Sequence, residues 1–505
     1  TSVYTPVHYP ETGMAEWLLQ QGVGGKIGFD PWLHTAKEIQ ELNEALEGSV
    51  LDLCPVENPI DRIWHDRPPL PSGKVLIHPD SLAGETSQAK RHRLGEAIAA
   101  EGLDAAMLTL PDSIAWLLNI RGTDIERTPV ALAFALLHTD GRVDLFIEPE
   151  KLDQATRDHL GRQVDVHATD QLLGALGVHA GKIGLDYATA PQAILDALHE
   201  PVDFADPCIL PKARKNDTEL AGMRAAHVRD GAAMTRFLHW LAEHAPRDEL
   251  TEIDVVKKLE GFRRDTNMLH DISFETICGA GPNGAIVHYR VTEDTNRPIR
   301  MGDILLVDSG AQYPDGTTDI TRTIAIGPAE PAAIRANTLV LKGMIAISTA
   351  RFPKGIAGRD IDGFARRALW LAGLDYDHGT GHGVGAFLDV HERPQRISRA
   401  GTVPLETGMI VSNEPGYYRE GAFGIRIENL VAVTPASTPV GGEREMLGFE
   451  TLTLAPIDRN LIDSTLLDAS ELSWLNAYHK QVADTLTPLL PEATATWLAR
   501  VCQPL

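Results

Sequence analysis

The sequence predicts a mixed α/β (α+β) protein, and three observations lead to this fold class. The chain has 505 residues, which corresponds to about three domains at roughly 150 residues each. Hydrophobic residues make up 43% and charged residues 23% of the chain, an ordinary globular composition. Apolar runs of strand length alternate with longer stretches of helical periodicity, and this alternation is typical of α/β folds.

A short repeat marks the N-terminal part of the chain. Residues 25–30 (GKIGFD) recur as residues 181–186 (GKIGLD), with five of six residues identical. Each copy is predicted to be a strand followed by a helix, at residues 31–46 and 188–198, so we interpret the repeat as a duplication. Much more sequence precedes the second copy within its domain than precedes the first. We therefore expect about 80 residues of the first domain to be missing upstream, by the likeness of the two copies.

The repeat and a turn-rich segment, residues 68–73 (PPLPSG), set the predicted domains. These are residues 1–72, a remnant of domain I; residues 73–214, domain II, which repeats it; and residues 215–505, a third domain. In domain II we expect a helix at 87–101, a strand at 105–110, and a hairpin formed by 131–137 and 143–147. In the third domain, Asn216 and Glu219 have capping-box spacing at the start of a long helix. A second long helix is expected from Pro331 to about Arg351.

Charge and cysteine content exclude several classes of partner. Lys and Arg number 46 against 70 Asp and Glu, which gives a formal charge of −24. Nucleic acids and anionic membranes are therefore not expected as partners, because a polyanion would be repelled. No apolar run reaches the ~18 residues of a membrane span, and no secretory signal is visible. The four cysteines form no CxxC pair, so we expect free thiols and a cytoplasmic location.

Two predicted strands of the third domain carry acidic residues. Residues 304–307 (ILLV) predict a strand buried on both faces, with Asp308 at its end. Residues 317–323 (TTDITRT) alternate, so that Asp319 shares a face with threonines while Ile320 points the other way. A turn separates the two segments. We therefore expect Asp308 and Asp319 on neighbouring antiparallel strands, with converging side chains.

The rest of this domain repeats the same design. Residues 409–411 predict an apolar strand that leads to Glu414, and residues 423–428 alternate towards Glu428. Between the two halves, residues 378–385 (HGTGHGVG) place His382 among glycines that allow close backbone packing. A nucleotide-binding loop is disfavoured here, because no apolar strand precedes the segment and no helix clearly follows it.

Four buried carboxylates and one imidazole require compensating positive charge. Two divalent cations would supply it. Oxygen ligands with one nitrogen suit Mn²⁺, while Zn²⁺ or Co²⁺ could substitute. Two cations about 3.5–4 Å apart are the arrangement used in metal-assisted hydrolysis. The sequence contains no HExxH, which excludes the mononuclear zinc peptidase pattern.

Five motifs in this order resemble those of the metallopeptidases with the pita-bread fold. The motifs are VDSG (307–310), TTDITRT (317–323), HGTGHGVG (378–385), NEPGYY (413–418) and GIRIEN (424–429). Within that family the chain most resembles the three-domain cytosolic aminopeptidase P type. The resemblance implies two creatinase-like N-terminal domains, the first of them truncated, and a C-terminal pita-bread catalytic domain. It also implies a homodimer through the catalytic domain.

The same resemblance implies an activity and a role for each site residue. The activity is metal-dependent exopeptidase hydrolysis of the N-terminal Xaa-Pro bond, by attack of a hydroxide that bridges two divalent metal ions. The implied metal ligands are Asp308 and Asp319 for the first ion, His382 and Glu414 for the second, with Asp319 and Glu428 bridging. The implied catalytic residues are Glu414, His391, His378 and His288, and the implied substrate-binding residues are His288, His378, His391 and Arg426.

Alternative functions stay open at this point. One is a prolidase, which is restricted to Xaa-Pro dipeptides; the three-domain build argues against it. A metal-free creatinase-like hydrolase would have lost ligand residues, and all five are present. A catalytically inactive pita-bread module that binds other proteins is the alternative from another class. A methionine aminopeptidase is disfavoured by the two upstream domains.

Overall fold

The computed structural model describes residues 3, 5–9, 11–22 and 24–505, and it forms two compact units. The helices are α1 (Met14–Gln20), α2 (Ala36–Leu46), α3 (Asp80–Ala83), α4 (Ser87–Ala100), α5 (Pro111–Leu118), α6 (Gln154–Leu160), α7 (Leu172–Val178), α8 (Gln192–Ala197), α9 (Ile209–Ala213), α10 (Asp217–His244), α11 (Glu252–Arg264), α12 (Pro331–Ser348), α13 (Gly358–Trp370), α14 (Ala469–Leu486) and α15 (Glu492–Val501).

The strands alternate with these helices. They are β1 (Gly25–Phe29), β2 (Leu51–Pro55), β3 (Leu76–Ile77), β4 (Ala105–Leu108), β5 (Ile120–Arg121), β6 (Phe134–His138), β7 (Val143–Phe146), β8 (Val164–His167), β9 (Lys182–Leu185), β10 (Glu200–Asp203), β11 (Asp271–Ile272), β12 (Ile277–Ala280), β13 (Ile304–Tyr313), β14 (Gly316–Ala325), β15 (Phe352–Pro353), β16 (Gly381–Gly383), β17 (Glu392–Ile397), β18 (Ile410–Asn413), β19 (Gly416–Arg419), β20 (Phe423–Arg426), β21 (Asn429–Ala436) and β22 (Met446–Thr451). The predicted mixed α/β class is confirmed.

The first unit comprises residues 1–77, 85–125 and 130–208. A six-stranded sheet in the order β10-β9-β4-β6-β7-β8 forms its centre, and β6 and β7 make the expected antiparallel hairpin. The predicted helix at 87–101 and strand at 105–110 correspond to α4 and β4. The predicted boundary between residues 72 and 73 stays a prediction.

Both copies of the repeat form a strand, a helix and a second, parallel strand. These are β1-α2-β2 and β9-α8-β10. The two helices are shorter than expected at their N-terminal ends. Thr35 and Glu38 form a capping box that starts α2 at Ala36, while the Asp30 carboxylate accepts a hydrogen bond from the Trp32 N–H in the preceding turn. The copies also contact each other through equivalent residues, since the two N-cap positions, Thr35 and Pro191, form a β-bridge.

The second unit comprises residues 78–84, 126–129 and 209–505 and contains the acidic motifs. Strand β13 pairs antiparallel with β11, β12 and β14, and every residue of β13 is buried. This strand extends six residues beyond the predicted apolar run, so Asp308 lies in mid-strand and not at a strand end. The reason is that the β13-β14 ladder continues through the acidic residue as far as the Tyr313–Gly316 pair.

A second sheet, in the order β15-β22-β21-β18-β16-β17, carries the later motifs. The two halves of the unit are related in design. The residue before α11 forms an isolated bridge, Thr251 with Pro298, and the residue before α13 forms its counterpart, Ala357 with Pro404, at the same spacing. Helices α11 and α13 therefore start at equivalent positions in the two halves.

Long helices support the sheets. Helix α10 begins with the predicted Asn216–Glu219 capping box, and its buried Phe237 and Leu241 share a core with Val307 of β13. Helix α12 begins at Pro331 as expected and ends at Ser348. Over the described part of the chain, no helix has the length and apolar character that a membrane crossing requires.

Candidate active site

The β13-β14 hairpin brings the first two acidic residues together. In its register Asp308 lies opposite Thr321 and Asp319 opposite Gly310, so the two carboxylates project from neighbouring strands. Both are buried, at 7% and 4% exposure. One oxygen of each, Asp308 Oδ1 and Asp319 Oδ1, has no hydrogen-bond partner. The expected convergence of the two side chains is therefore present.

His382 enters the same space from β16. Its Nδ1 lies 3.0 Å from the Gly383 carbonyl oxygen, which can only accept, so Nδ1 carries the proton and Nε2 faces the carboxylates. Nε2 lies 3.4 Å from Asp319 Oδ2 and 3.6 Å from Glu414 Oε1. Glycine is required beside it, because a Cβ on Gly381 would lie 1.8 Å from the Ser412 carbonyl oxygen.

The remaining two carboxylates follow strands β18 and β20. Glu414 accepts a hydrogen bond from the Ser412 hydroxyl at 3.2 Å, and its backbone N–H donates to the Thr380 carbonyl oxygen at 2.8 Å. Glu428 accepts one from the Thr321 hydroxyl at 2.8 Å, and its Oε1 has no hydrogen-bond partner. All four predicted carboxylates thus lie around one cavity.

The electrostatics of this cavity favour bound cations. Burial raises the pKa of Asp308 to about 6 against the opposing effect of Arg426, and burial raises that of Glu414 to about 7. Burial raises the pKa of Glu428 well above its ordinary value, and the neighbouring carboxylates raise it further. Burial opposes protonation of His382, but Asp319 and Glu414 outweigh it and raise its pKa to about 9. The carboxylates repel one another, and added positive charge would relieve this repulsion.

Arg426, predicted to bind substrate, is held in place by contacts with protein groups. It is buried and donates to Asp308 Oδ2 at 2.6 Å, to the Tyr418 hydroxyl at 2.6 Å and to the Thr321 hydroxyl at 3.2 Å. It also lines the cavity, with its Nε 3.9 Å from Glu414 Oε2. A role in substrate binding stays a prediction.

The three predicted histidines line the same cavity, which has a volume of about 600 Å³. The His391 ring lies edge-on to the His382 ring, with centroids 4.4 Å apart. His378 Nε2 lies 2.9 Å from the Tyr418 hydroxyl, and burial lowers the pKa of His378 to about 4, so this ring is neutral at pH 7. Burial lowers the pKa of His288 as well, with Arg426 contributing.

The donor set fits divalent cations. Ligand atoms of Asp319, His382 and Glu428 lie within 4.8 Å of one another. Asp308 and Glu414 stand beside this group, each with one carboxylate oxygen hydrogen-bonded to a protein donor. Buried carboxylate oxygens without hydrogen-bond donors are costly unless a cation binds them. Carboxylates with one imidazole are ligands suited to Mn²⁺, Zn²⁺ and Co²⁺.

The structure adds residues that the sequence analysis did not single out. Thr321 and Ser412 orient carboxylates, and Tyr418 joins Arg426 to His378. Phe274 and Arg396 line the cavity. For Thr321 a signal existed, since it alternates with Asp319 on one strand face. Tyr418 lies within the NEPGYY motif, but nothing in its local pattern indicates the arginine it contacts.

Comparison with known proteins places the chain in a family. Residues 221–435 match the model of metallopeptidase family M24, residues 66–219 match a creatinase/prolidase N-terminal domain, and residues 445–505 match the C-terminal region of M24 peptidases. A probable Xaa-Pro aminopeptidase P from Aspergillus niger is 40% identical over 514 residues, which span 97% of this chain and 84% of the relative. The chain belongs to metallopeptidase family M24, with creatinase-type N-terminal sequence and the M24 catalytic domain.

Solved structures agree with this assignment. An X-prolyl aminopeptidase from Caenorhabditis elegans, described as a cytosolic enzyme with a di-nuclear active site, has a TM-score of 0.92 and 34% identity, covering 99% of this chain and 84% of that one. An Xaa-Pro dipeptidase from Bacillus anthracis has a TM-score of 0.60 and 26% identity over 74% of this chain and 99% of its own. The predicted family and pita-bread fold are confirmed.

Proposed function

We propose that the protein is a metal-dependent Xaa-Pro aminopeptidase, which removes an N-terminal residue that precedes proline. One observation carries the proposal: three buried carboxylate oxygens without hydrogen-bond donors, on Asp308, Asp319 and Glu428, share one cavity with the Nε2 atom of His382. The similarity to aminopeptidase P over almost the whole chain supports the same activity.

In this proposal two divalent cations occupy the acidic cluster. Asp308 and Asp319 would hold the first, His382 and Glu414 would hold the second, and Glu428 together with Asp319 would contribute to both. Ions held there would supply Lewis-acid chemistry, which acidifies water and polarises the carbonyl of the residue before proline. The ligand geometry is held by the Thr321 hydroxyl on Glu428 and by the Gly383 carbonyl oxygen on His382.

The side chains around the cluster supply the remaining steps. Glu414 accepts the proton of the attacking water and returns it to the leaving proline nitrogen. His391, whose ring lies against that of His382, donates a hydrogen bond to the oxygen that becomes negatively charged. The free amine of the substrate meets the Asp308 carboxylate, which restricts cleavage to the first peptide bond.

Proline specificity is assigned to the cavity wall. The amide nitrogen of proline carries no hydrogen, so the site cannot select it by accepting a hydrogen bond and must fit the ring instead. His288 and His378 lie on this wall, and His378 is fixed by the Tyr418 hydroxyl. Arg426 completes the wall, with its guanidinium group between Asp308 and Tyr418.

Three finer assignments belong to the same proposal. We assign Mn²⁺ as the preferred ion because oxygen ligands dominate the site. We assign a homodimer formed through the catalytic domain, and a cytoplasmic location like that of the C. elegans enzyme. Size-exclusion chromatography with light scattering tests the dimer, and activity against a metal series tests the ion.

The alternative is an Xaa-Pro dipeptidase, to which 74% of the chain is structurally similar. The two functions differ in the length of substrate they accept. Purified protein loaded with Mn²⁺ should release arginine from Arg-Pro-Pro as well as from Arg-Pro. Release from the dipeptide alone would assign the chain as a prolidase.

A further inference from the structure

A buried arginine forms hydrogen bonds with the loop that precedes His382 in the active site. Arg366 lies on α13, is 3% exposed, and stacks on the Tyr376 ring with its guanidinium carbon 4.0 Å from the ring centroid. A guanidinium group has five N–H donors, and each of these finds an acceptor. The donors reach Asp362 Oδ2 at 2.8 Å, Asp362 Oδ1 at 3.3 Å, Asp375 Oδ1 at 3.0 Å, the Tyr376 carbonyl at 2.7 Å and the His378 carbonyl at 2.7 Å.

Asp362, the ion-pair partner of this arginine, also contacts the loop. Asp362 is 3% exposed, and its Oδ1 also accepts a hydrogen bond from the Thr380 hydroxyl at 2.6 Å. The Tyr376 hydroxyl lies 2.5 Å from the same Thr380 oxygen. One ion pair on a helix therefore fixes the loop at Tyr376, His378 and Thr380.

Those positions connect directly to groups in the cavity. The His378 side chain faces the proposed proline pocket, and the Thr380 carbonyl oxygen accepts the backbone N–H of Glu414 at 2.8 Å. Two residues beyond Thr380 comes His382. A displacement of the loop would move His378 and Glu414 together.

We propose that Arg366, held by Asp362, is a positioning residue for the peptidase reaction, acting through the carbonyl groups of the 376–380 loop on His378 and Glu414. The inference rests on the proposed function. Arg366 is not among the residues that line the cavity, and protein acceptors take all five of its donors. Its planar guanidinium spans three loop acceptors at once, and a lysine ammonium, with three donors at a single point, cannot do so.

The test compares Arg366→Lys with Arg367→Lys, its exposed neighbour on the same helix. On Arg-Pro-Pro we expect Arg366→Lys to lower kcat/KM by about 10- to 100-fold, mainly through kcat, because small displacements of reacting groups have effects of this size. Arg367→Lys should stay within about twofold of wild type, as surface substitutions normally do. Equal rates for the two variants overturn the proposal.

A second variant and a second readout keep the test decisive. Thr380→Val removes the hydroxyl that donates to Asp362 and contacts the Tyr376 hydroxyl, while all five Arg366 hydrogen bonds remain, and we expect a decrease of about 3- to 10-fold. Hydrogen exchange should become faster in peptides covering 376–382 and in the Glu414 amide of Arg366→Lys, but not in Arg367→Lys. A lower melting temperature with unchanged kcat and no local increase in exchange shows a merely structural role and contradicts the proposal. If wild-type protein cleaves no Xaa-Pro peptide, the proposed function fails, and the exchange comparison still decides whether Arg366 positions the loop.

Discussion

Replacing Arg322 by lysine should destabilise the catalytic unit and disturb Glu428. Arg322 is 1% exposed and follows Thr321, whose hydroxyl donates to Glu428 of the acidic cluster. The five N–H donors of Arg322 are shared among six acceptors within 3.1 Å, which are the carbonyl oxygens of Thr321, Glu428, Ala455 and Pro456, the side-chain oxygen of Asn429 and the hydroxyl of Tyr478. This side chain therefore joins β14, the Glu428 backbone and helix α14.

The size of the effect follows from the donors that are lost. A lysine has three donors and can serve at most half of these acceptors. Each buried group left unpaired costs about 1–3 kcal/mol, and neighbouring groups relieve part of that, so we expect a total of about 3 kcal/mol. At roughly 2–4 °C per kcal/mol, the melting temperature should fall by about 6–12 °C.

Calorimetry and urea unfolding measure this change, and Arg335→Lys on the exposed face of α12 is the matched control. Because the Glu428 carbonyl oxygen loses its donor, bound metal per subunit should also fall in Arg322→Lys. A free energy of unfolding within about 0.5 kcal/mol of the control, the range of ordinary surface changes, would refute the assignment of Arg322 as the link between α14 and Glu428.

Three further predictions concern single side chains. Burial lowers the pKa of His479 to about 4, and its Nε2 accepts the Ile457 N–H at 3.1 Å, so the unfolded chain takes up the proton first as the pH falls below the ordinary value of about 6.5. The contribution of neutral His479 to the free energy of unfolding should be fully present above that pH and should be lost as the pH falls. Between pH 7 and 4.5, the free energy of unfolding of wild type, measured in urea, should decrease by about 2 kcal/mol more than that of His479→Gln. Equal decreases would contradict the assignment of His479 as a buried neutral side chain. His382→Ala should lower bound metal, measured by mass spectrometry, from about two ions per subunit, and an unchanged ratio would remove His382 from the ligands. Glu414→Ala should keep most of the fold by circular dichroism and lower turnover by at least about 100-fold, the usual size of a lost general base, and a retained rate would assign proton transfer elsewhere.

Local patterns were sufficient to predict the pairing of the acidic strands. Alternation at 317–323 placed Asp319 correctly, and the capping residues Asn216 and Glu219 located the start of α10. These features depend only on residues that are close together in the sequence, so a sequence pattern is sufficient to predict them.

Contacts between distant segments could not be predicted in this way. Arg366 and Arg322 carry no local sign of burial, because an arginine on a helix or strand is usually exposed. The acceptors of Arg322 lie up to 156 positions away, at Tyr478, while those of Arg366 lie on its own helix and on the loop that follows, up to 12 positions away. The continuation of β13 beyond Asp308 could not be predicted for a related reason. Burying a carboxylate in mid-strand is costly unless partners compensate it, and the sequence does not show those partners.

We propose that this acidic cavity binds divalent cations and uses them to cleave the bond before proline. Its most direct test is to strip the protein of metal, incubate it with Arg-Pro-Pro or Arg-Ala-Ala, and follow free arginine with and without Mn²⁺. We expect arginine release from the proline peptide alone, and only when Mn²⁺ is present. Release without metal, or equal release from both peptides, would contradict it.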